Sequence, residues 1–76
     1  MELNDFIANF AEQFEDTDSS EIQANTEFHD LDEWGSIIGM SVIAMVKTVY
    51  GKTVTGKEIK SCITVEQLFN LVASKE

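Results

Sequence analysis

The stretch WGSIIGMSVIAMVKTVYG, residues 34–51, runs mostly apolar with neither an acidic side chain nor a proline, and glycines stand near both of its ends. It predicts a helix from Ser36 to about Tyr50, stopped by Gly51, a residue suited to the left-handed cap conformation. Ile38, Val42, Met45, Val46 and Val49 supply a core stripe, yet Ile37, Met40, Ile43 and Ala44 leave little of the circumference polar. A helix apolar nearly all round is either covered on all sides or exposes a strip to a partner, and so small a bundle rarely covers one completely. An exposed strip is therefore expected, with the adaptable Met40 near its serine end suited to more than one partner. Ser36 lies at the junction with the preceding acidic stretch. A serine there sits among backbone N–H groups without intrahelical partners, at the positive end of the helix dipole, and so suits either capping or a phosphate.

Outward from that helix, Leu3, Phe6, Ile7, Phe10 and Phe14 recur at three- and four-residue spacing and predict an amphipathic helix over about 2–15. Residues 15–33 are polar and acidic, with a turn at Asp16-Thr17-Asp18-Ser19-Ser20. A long loop pinned onto the core by Phe28 and Leu31 is expected there, with Ile22 and Ala24 as lesser anchors. Capping boxes at Thr55-Gly56-Lys57-Glu58 and Thr64-Val65-Glu66-Gln67 open a short helix to about Lys60 and a last helix to about Ser74. In the last helix Val65, Leu68, Phe69, Leu71 and Val72 face the core. The fold expected is all-α, a four-helix bundle with a long loop between helices one and two and a short third helix, in one domain over 1–76.

The chain has 76 residues, in the size range where only a modest core forms. Charge is divided sharply along it. Residues 1–33 carry eleven acids and no lysine or arginine, whereas residues 34–76 carry three acids and all five lysines, so the two parts stand at −11 and +2 and sum to −9. Such a field repels phosphate backbones and anionic membranes, which excludes nucleic acid and membrane as partners and favours basic protein surfaces. The single cysteine, Cys62, excludes an internal disulfide framework. The longest apolar stretch, Ile37 to Val46, is too short to span a bilayer, and no secretory leader pattern opens the chain. A soluble, cytoplasmic monomer is expected.

Catalysis needs a nucleophile with a base, a carboxylate pair in a cleft or a metal cluster. The chain offers one histidine, one cysteine and acids spread over a solvated face, so it is not expected to be an enzyme. His29 reads as a solvated loop histidine, with orientation of the Ser36 region as the functional alternative. Cys62 reads as a small core residue. Calcium-loop registers fail: one beginning at Asp30 puts Trp34 and Ser41 at ligand positions, and one beginning at Asp16 puts Glu21 where glycine is required. No metal site is expected.

Residues Gly35-Ser36-Ile37 at the start of the second helix, the apolar pair Phe28 and Leu31 before them, Val54, Ile59 and Ile63-Thr64-Val65 further on, and the acidic composition together resemble the acyl carrier proteins and the related peptidyl carrier domains, over the whole chain. The resemblance implies that Ser36 receives 4′-phosphopantetheine from coenzyme A through a phosphopantetheinyl transferase. The arm's thiol would then hold acyl intermediates as thioesters for acyl-transferring or condensing enzymes of a fatty-acid, polyketide or specialised acylation pathway, and the bundle would shelter the acyl chain between helices. Asp32, Glu33, Trp34, Gly35, Ile37, Met40 and Ala44 would meet those partners. Two departures stand out: glycine replaces the acid that family members place before the serine, and the second helix has no acid at all. Recognition would rest on apolar contact, with the acids of the preceding loop, Asp30, Asp32 and Glu33, supplying the electrostatic part. The tryptophan in Leu31-Asp32-Glu33-Trp34 resembles that of a specialised subgroup. The alternatives are an aminoacyl or peptidyl carrier, and an unmodified interaction module that binds through the apolar face of helix two.

Overall fold

The computed structural model describes residues 1–75 and folds them into a small bundle of helices: α1 (Leu3–Ala11), α2 (Ser36–Tyr50), α3 (Gly56–Ser61) and α4 (Val65–Ala73). One-turn 3-10 segments, Ser19–Glu21 and Phe28–Asp30, interrupt the connection between α1 and α2. No helix among the described residues is long and apolar enough to cross a membrane.

The predicted stripes converge on one core. Phe6 and Phe10 of α1, Val42 and Val46 of α2, and Val65, Leu68 and Val72 of α4 have no accessible surface, and Ile22, Phe28, Val54 and Ile59 join them from the loops and α3. Phe10 is the hub of an aromatic cluster, with Phe14, Phe28 and Trp34 at centroid distances of 5.5, 5.4 and 6.1 Å. Cys62 is buried in the same core, and burial pushes its thiol pKa up, which suits a core residue.

Three expectations need correction. The first helix ends at Ala11 rather than near residue 15, because the Gln13 and Phe14 amides bond back only three residues, to Phe10 and Ala11. The next amides, of Glu15 and Asp16, donate to the Glu33 carboxylate instead of continuing the helix. This bend still delivers Phe14 to the core. Val49 lies on the predicted core stripe but is 51% exposed. At that end of α2 it is Tyr50 that meets α1, its ring 5.8 Å from Phe6 and its hydroxyl accepting from Asn9 Nδ2, while Val49 stays half outside the core. Ile63, which the resemblance places with Val54 and Ile59 among the apolar contacts of the fold, is 55% exposed; its backbone amide is held by Gln67 Oε1 while its side chain faces outward.

Helix ends behave as the sequence predicts where capping residues are present. Gly51 stands at φ 68°, and the amides of Gly51 and Lys52 close α2 on Lys47 and Val46. Thr55 and Thr64 each accept from the amide three residues on, while Glu58 and Gln67 return a bond to the cap. Loop backbone completes the start of α4, where the Val65 and Glu66 amides donate to Thr26 and Ala24 at 3.1 and 2.9 Å. That pairing ties the long loop to α4. Thr64→Ala is expected to lower stability by about 1 kcal/mol, the usual worth of a threonine cap, as read from the midpoint of urea denaturation.

Candidate functional site around Ser36

The start of α2 differs from those of α3 and α4 in lacking a cap. The residue before the helix is Gly35, extended and without a side chain, and Ser36 is the first residue inside. The Ser36 hydroxyl therefore does not cap α2; it is exposed and makes no hydrogen bond to the described residues. The first amide of this region to find an acceptor is that of Gly39, which donates to Gly35 O at 2.9 Å. The Ser36, Ile37 and Ile38 amides have no protein acceptor among the described residues, and the first turn holds no acidic side chain. Unpaired N–H groups and an uncompensated dipole thus surround an accessible hydroxyl, an arrangement that favours an anion. A side chain at position 35 would meet open space, so no steric reason requires glycine there.

Beside the serine runs a mostly apolar groove of about 350 Å³ between α2 and α3. Trp34, Ser36, Gly39, Met40, Ile43 and Ile59 line it, together with His29 and Lys60. The α2 residues among them follow from Ser36 at intervals of three, four and seven, the spacing of one helical face. That signal was available in the sequence. The contributions of His29, Ile59 and Lys60 were not, because they reach the groove only through the packing of the loop and α3.

His29 is solvent-exposed, as expected of a loop histidine, yet its ring is engaged by hydrogen bonds. Its Nε2 lies 3.0 Å from Cys62 O and 3.2 Å from Ile59 O, so the Nε2–H tautomer donates to carbonyls at the end of α3. Its ring also lies tilted against Phe28 with centroids 4.3 Å apart and meets Trp34 edge-on at 5.5 Å. It thereby fastens α3, too short to persist alone, to the loop that leads into Ser36.

Among the residues assigned to partner contact, Trp34, Gly35 and Met40 gather at the groove, whereas Ile37 and Ala44 lie exposed on the outer face of α2. Ile37 is 79% and Met40 69% exposed, the largest exposures of any large apolar side chain here. Trp34 is half-buried, with Phe28 4.8 Å away, and serves the core as well as the groove. Asp32 is exposed but lines a different depression, with Asp16, Thr17, Glu21, Leu31 and Glu33. Glu33 is committed to the loop: its carboxylate accepts from the Glu15 and Asp16 amides at 2.7 and 3.0 Å and from the Thr17 hydroxyl at 2.8 Å. Among the described residues no three His, Cys, Asp or Glu side chains converge to hold a metal ion.

The Glu33 hydrogen bonds, that from the Glu15 amide foremost, hold its pKa below the ordinary 4.5. A carboxyl whose pKa is lower folded than unfolded stabilises the fold fully above the unfolded value and loses that contribution as pH falls through the folded one. Glu33→Gln is therefore expected to flatten the decline of Tm as pH drops below about 4.5, relative to the parent. Parallel declines would show that the clamp does not persist in solution.

No family model, no curated protein and no solved structure matches this chain.

Proposed function

We propose that the protein is a carrier, not a catalyst, and that Ser36 is the attachment point of 4′-phosphopantetheine. The observation that carries this reading is the uncapped, exposed Ser36 hydroxyl at the start of the longest helix, set among amides with no acceptor among the described residues. A serine with a capping role would have its oxygen engaged by an amide further into the helix. Here the oxygen is free for modification, and the residues fit the group. A phosphodiester on Ser36 Oγ would lie against the Ser36, Ile37 and Ile38 amides at the positive end of α2, with no first-turn acid to oppose it. When bound, the group supplies a thiol on a flexible arm, on which an acyl intermediate is held as a thioester.

The chain's own residues position and present that group. Phe28, Trp34 and His29 hold the loop before Ser36 on the core and on α3, so the serine projects from a rigid platform. The exposed Ile37, Met40 and Ala44 form the apolar surface that a phosphopantetheinyl transferase and acyl-transferring or condensing enzymes would cover. With Glu33 committed internally, Asp30 and Asp32 remain exposed in the loop before Ser36 and would supply the electrostatic part of recognition.

Incubation with coenzyme A and a broad-specificity phosphopantetheinyl transferase, followed by intact-mass measurement, tests the reading. A gain of one phosphopantetheinyl group is expected. The strength of the Ile37 and Met40 exposure also suits an unmodified interaction module, which would show no gain with several transferases.

A further inference from the structure

The lysines divide by what they do for the fold. Lys52 Nζ donates to Lys75 O at 2.6 Å and Lys75 pairs with Glu58 at 2.8 Å, so these two fasten the end of the chain to the bundle. Lys47, Lys57 and Lys60 are exposed and have no acidic partner among the described residues. Lys47 and Lys60 at least stand in the last turns of α2 and α3, where a cation complements the helix dipole. Lys57 does the opposite. It is the second residue of α3, at the positive end of that helix, where a cation is disfavoured. Fold stability therefore does not account for it.

All three border one apolar strip. Along α2 the exposed residues Ile37, Met40, Ala44 and Lys47 follow at intervals of three, four and three, the spacing of a single ridge. Met40 and Lys60 line the same groove, and Lys57 precedes Lys60 by three residues on α3. Neither helix opposes these charges with a free acid: α2 has none, and the Glu58 carboxylate of α3 is taken by Lys75 and by the Thr55 cap. The face is thus apolar in its middle and cationic at its far end and along the α3 side, on a molecule whose net charge is −9.

We propose that this face binds a protein partner whose apolar patch is bordered by carboxylates, the reverse of the basic surface that the net charge attracts. The assignment holds whether or not Ser36 carries a group. Range decides the sign. Charges are screened over about 8 Å at physiological salt, whereas the molecule measures 32 × 23 × 20 Å, so a partner seated here meets the lysines within reach rather than the acids beyond. Asp16, Glu21, Asp32 and Glu33 line a separate depression that shares no residue with the groove. An anionic bilayer, an extended charged plane, meets the field of the whole acidic molecule and is repelled, and a second copy offers the same cationic face. A compact acidic patch on a protein avoids both. With Asp30 and Asp32 acting before Ser36, a partner covering the entire strip presents cations at that end and carboxylates toward Lys47, Lys57 and Lys60.

Two synthetic helical peptides with the same leucine face, one flanked by glutamates and one by lysines, are the probes, titrated at physiological salt into isotope-labelled protein and followed by amide NMR shifts. The glutamate peptide is expected to shift Ile37, Met40, Ala44, Lys47 and α3, and the lysine peptide to shift the acidic loop instead. Lys47→Gln, Lys57→Gln and Lys60→Gln should each weaken glutamate-peptide binding by about twofold to fivefold, the range of one exposed ion pair. Lys57→Gln should do so with Tm unchanged or raised, which separates lost binding from lost folding. No shift with the glutamate peptide, binding insensitive to the three variants, or the lysine peptide seated on α2 and α3 would overturn the proposal. Concentration-dependent shifts of the same amides without peptide would give the face to a second copy, and binding of phosphatidylserine vesicles in place of the glutamate peptide would give it to a lipid surface; either would overturn it too. Mass gain at Ser36 with coenzyme A bears on the carrier reading alone, so the two can fail separately.

Discussion

Ser36→Ala is expected to abolish phosphopantetheinylation completely while leaving the stability of the fold within about 0.5 kcal/mol of the parent. The separation of the two effects is the informative part. Were Ser36 the cap of α2, its loss would lower stability by about 0.5–2 kcal/mol, and a functional defect would be confounded with partial unfolding. The structure places Gly35 in the cap position and leaves the Ser36 hydroxyl unbonded, so alanine removes only the oxygen that would be modified. Intact mass after transferase treatment and a urea titration of the same preparations measure the two quantities. Modification persisting in the variant would move the attachment point elsewhere. A stability loss beyond 1 kcal/mol would mean that the serine caps the helix in solution.

Phe28→Ala is expected to cost about 3–5 kcal/mol, the range for truncating a fully buried aromatic side chain. Phe28 has no accessible surface and touches the cluster at three points, with ring centroids 5.4 Å from Phe10, 4.8 Å from Trp34 and 4.3 Å from His29. At about 0.05–0.15 kcal/mol per residue, a domain of this size has on the order of 4–11 kcal/mol in total, so the substitution removes a large share of it. The loss has a second consequence. Phe28 is the anchor that carries His29 onto α3 and Trp34 under the start of α2, so the Ser36 platform should loosen before the rest of the bundle does. Urea denaturation followed by circular dichroism gives the global loss, and hydrogen exchange at the α3 and early α2 amides gives the local one. A loss below 1 kcal/mol would contradict the packing of the loop on the core.

How much of this could be read from the chain differs between parts of the molecule. The helices were legible wherever local chemistry decides: the aromatic spacing of α1, the apolar run and Gly51 of α2, and the threonine boxes of α3 and α4 each act within a few residues. The pinning of the loop by Phe28 was legible too, because a buried aromatic in an acidic stretch has few other fates. The end of α1 was not, since the competing acceptor for the Glu15 and Asp16 amides is a carboxylate eighteen and seventeen residues away. Val49 illustrates the same limit, for its position on the helical wheel is right but α1 packs against Tyr50 instead and leaves Val49 51% exposed.

The site divides in the same way. The sequence by itself determined that a serine opens the most apolar helix, that the acids gather before it and that apolar residues follow it, because order along the chain is enough for each of these. Only the tertiary structure decided that the serine is uncapped, that Glu33 turns inward to the loop, that His29 fastens α3, and that α2 and α3 leave a groove with Gly39 and Lys60 along it. The physical reason is range. Helix propensity and capping act over three or four residues and are written locally, whereas hydrogen bonds between a loop and distant backbone, and the space left between two packed helices, depend on where the whole chain has gone.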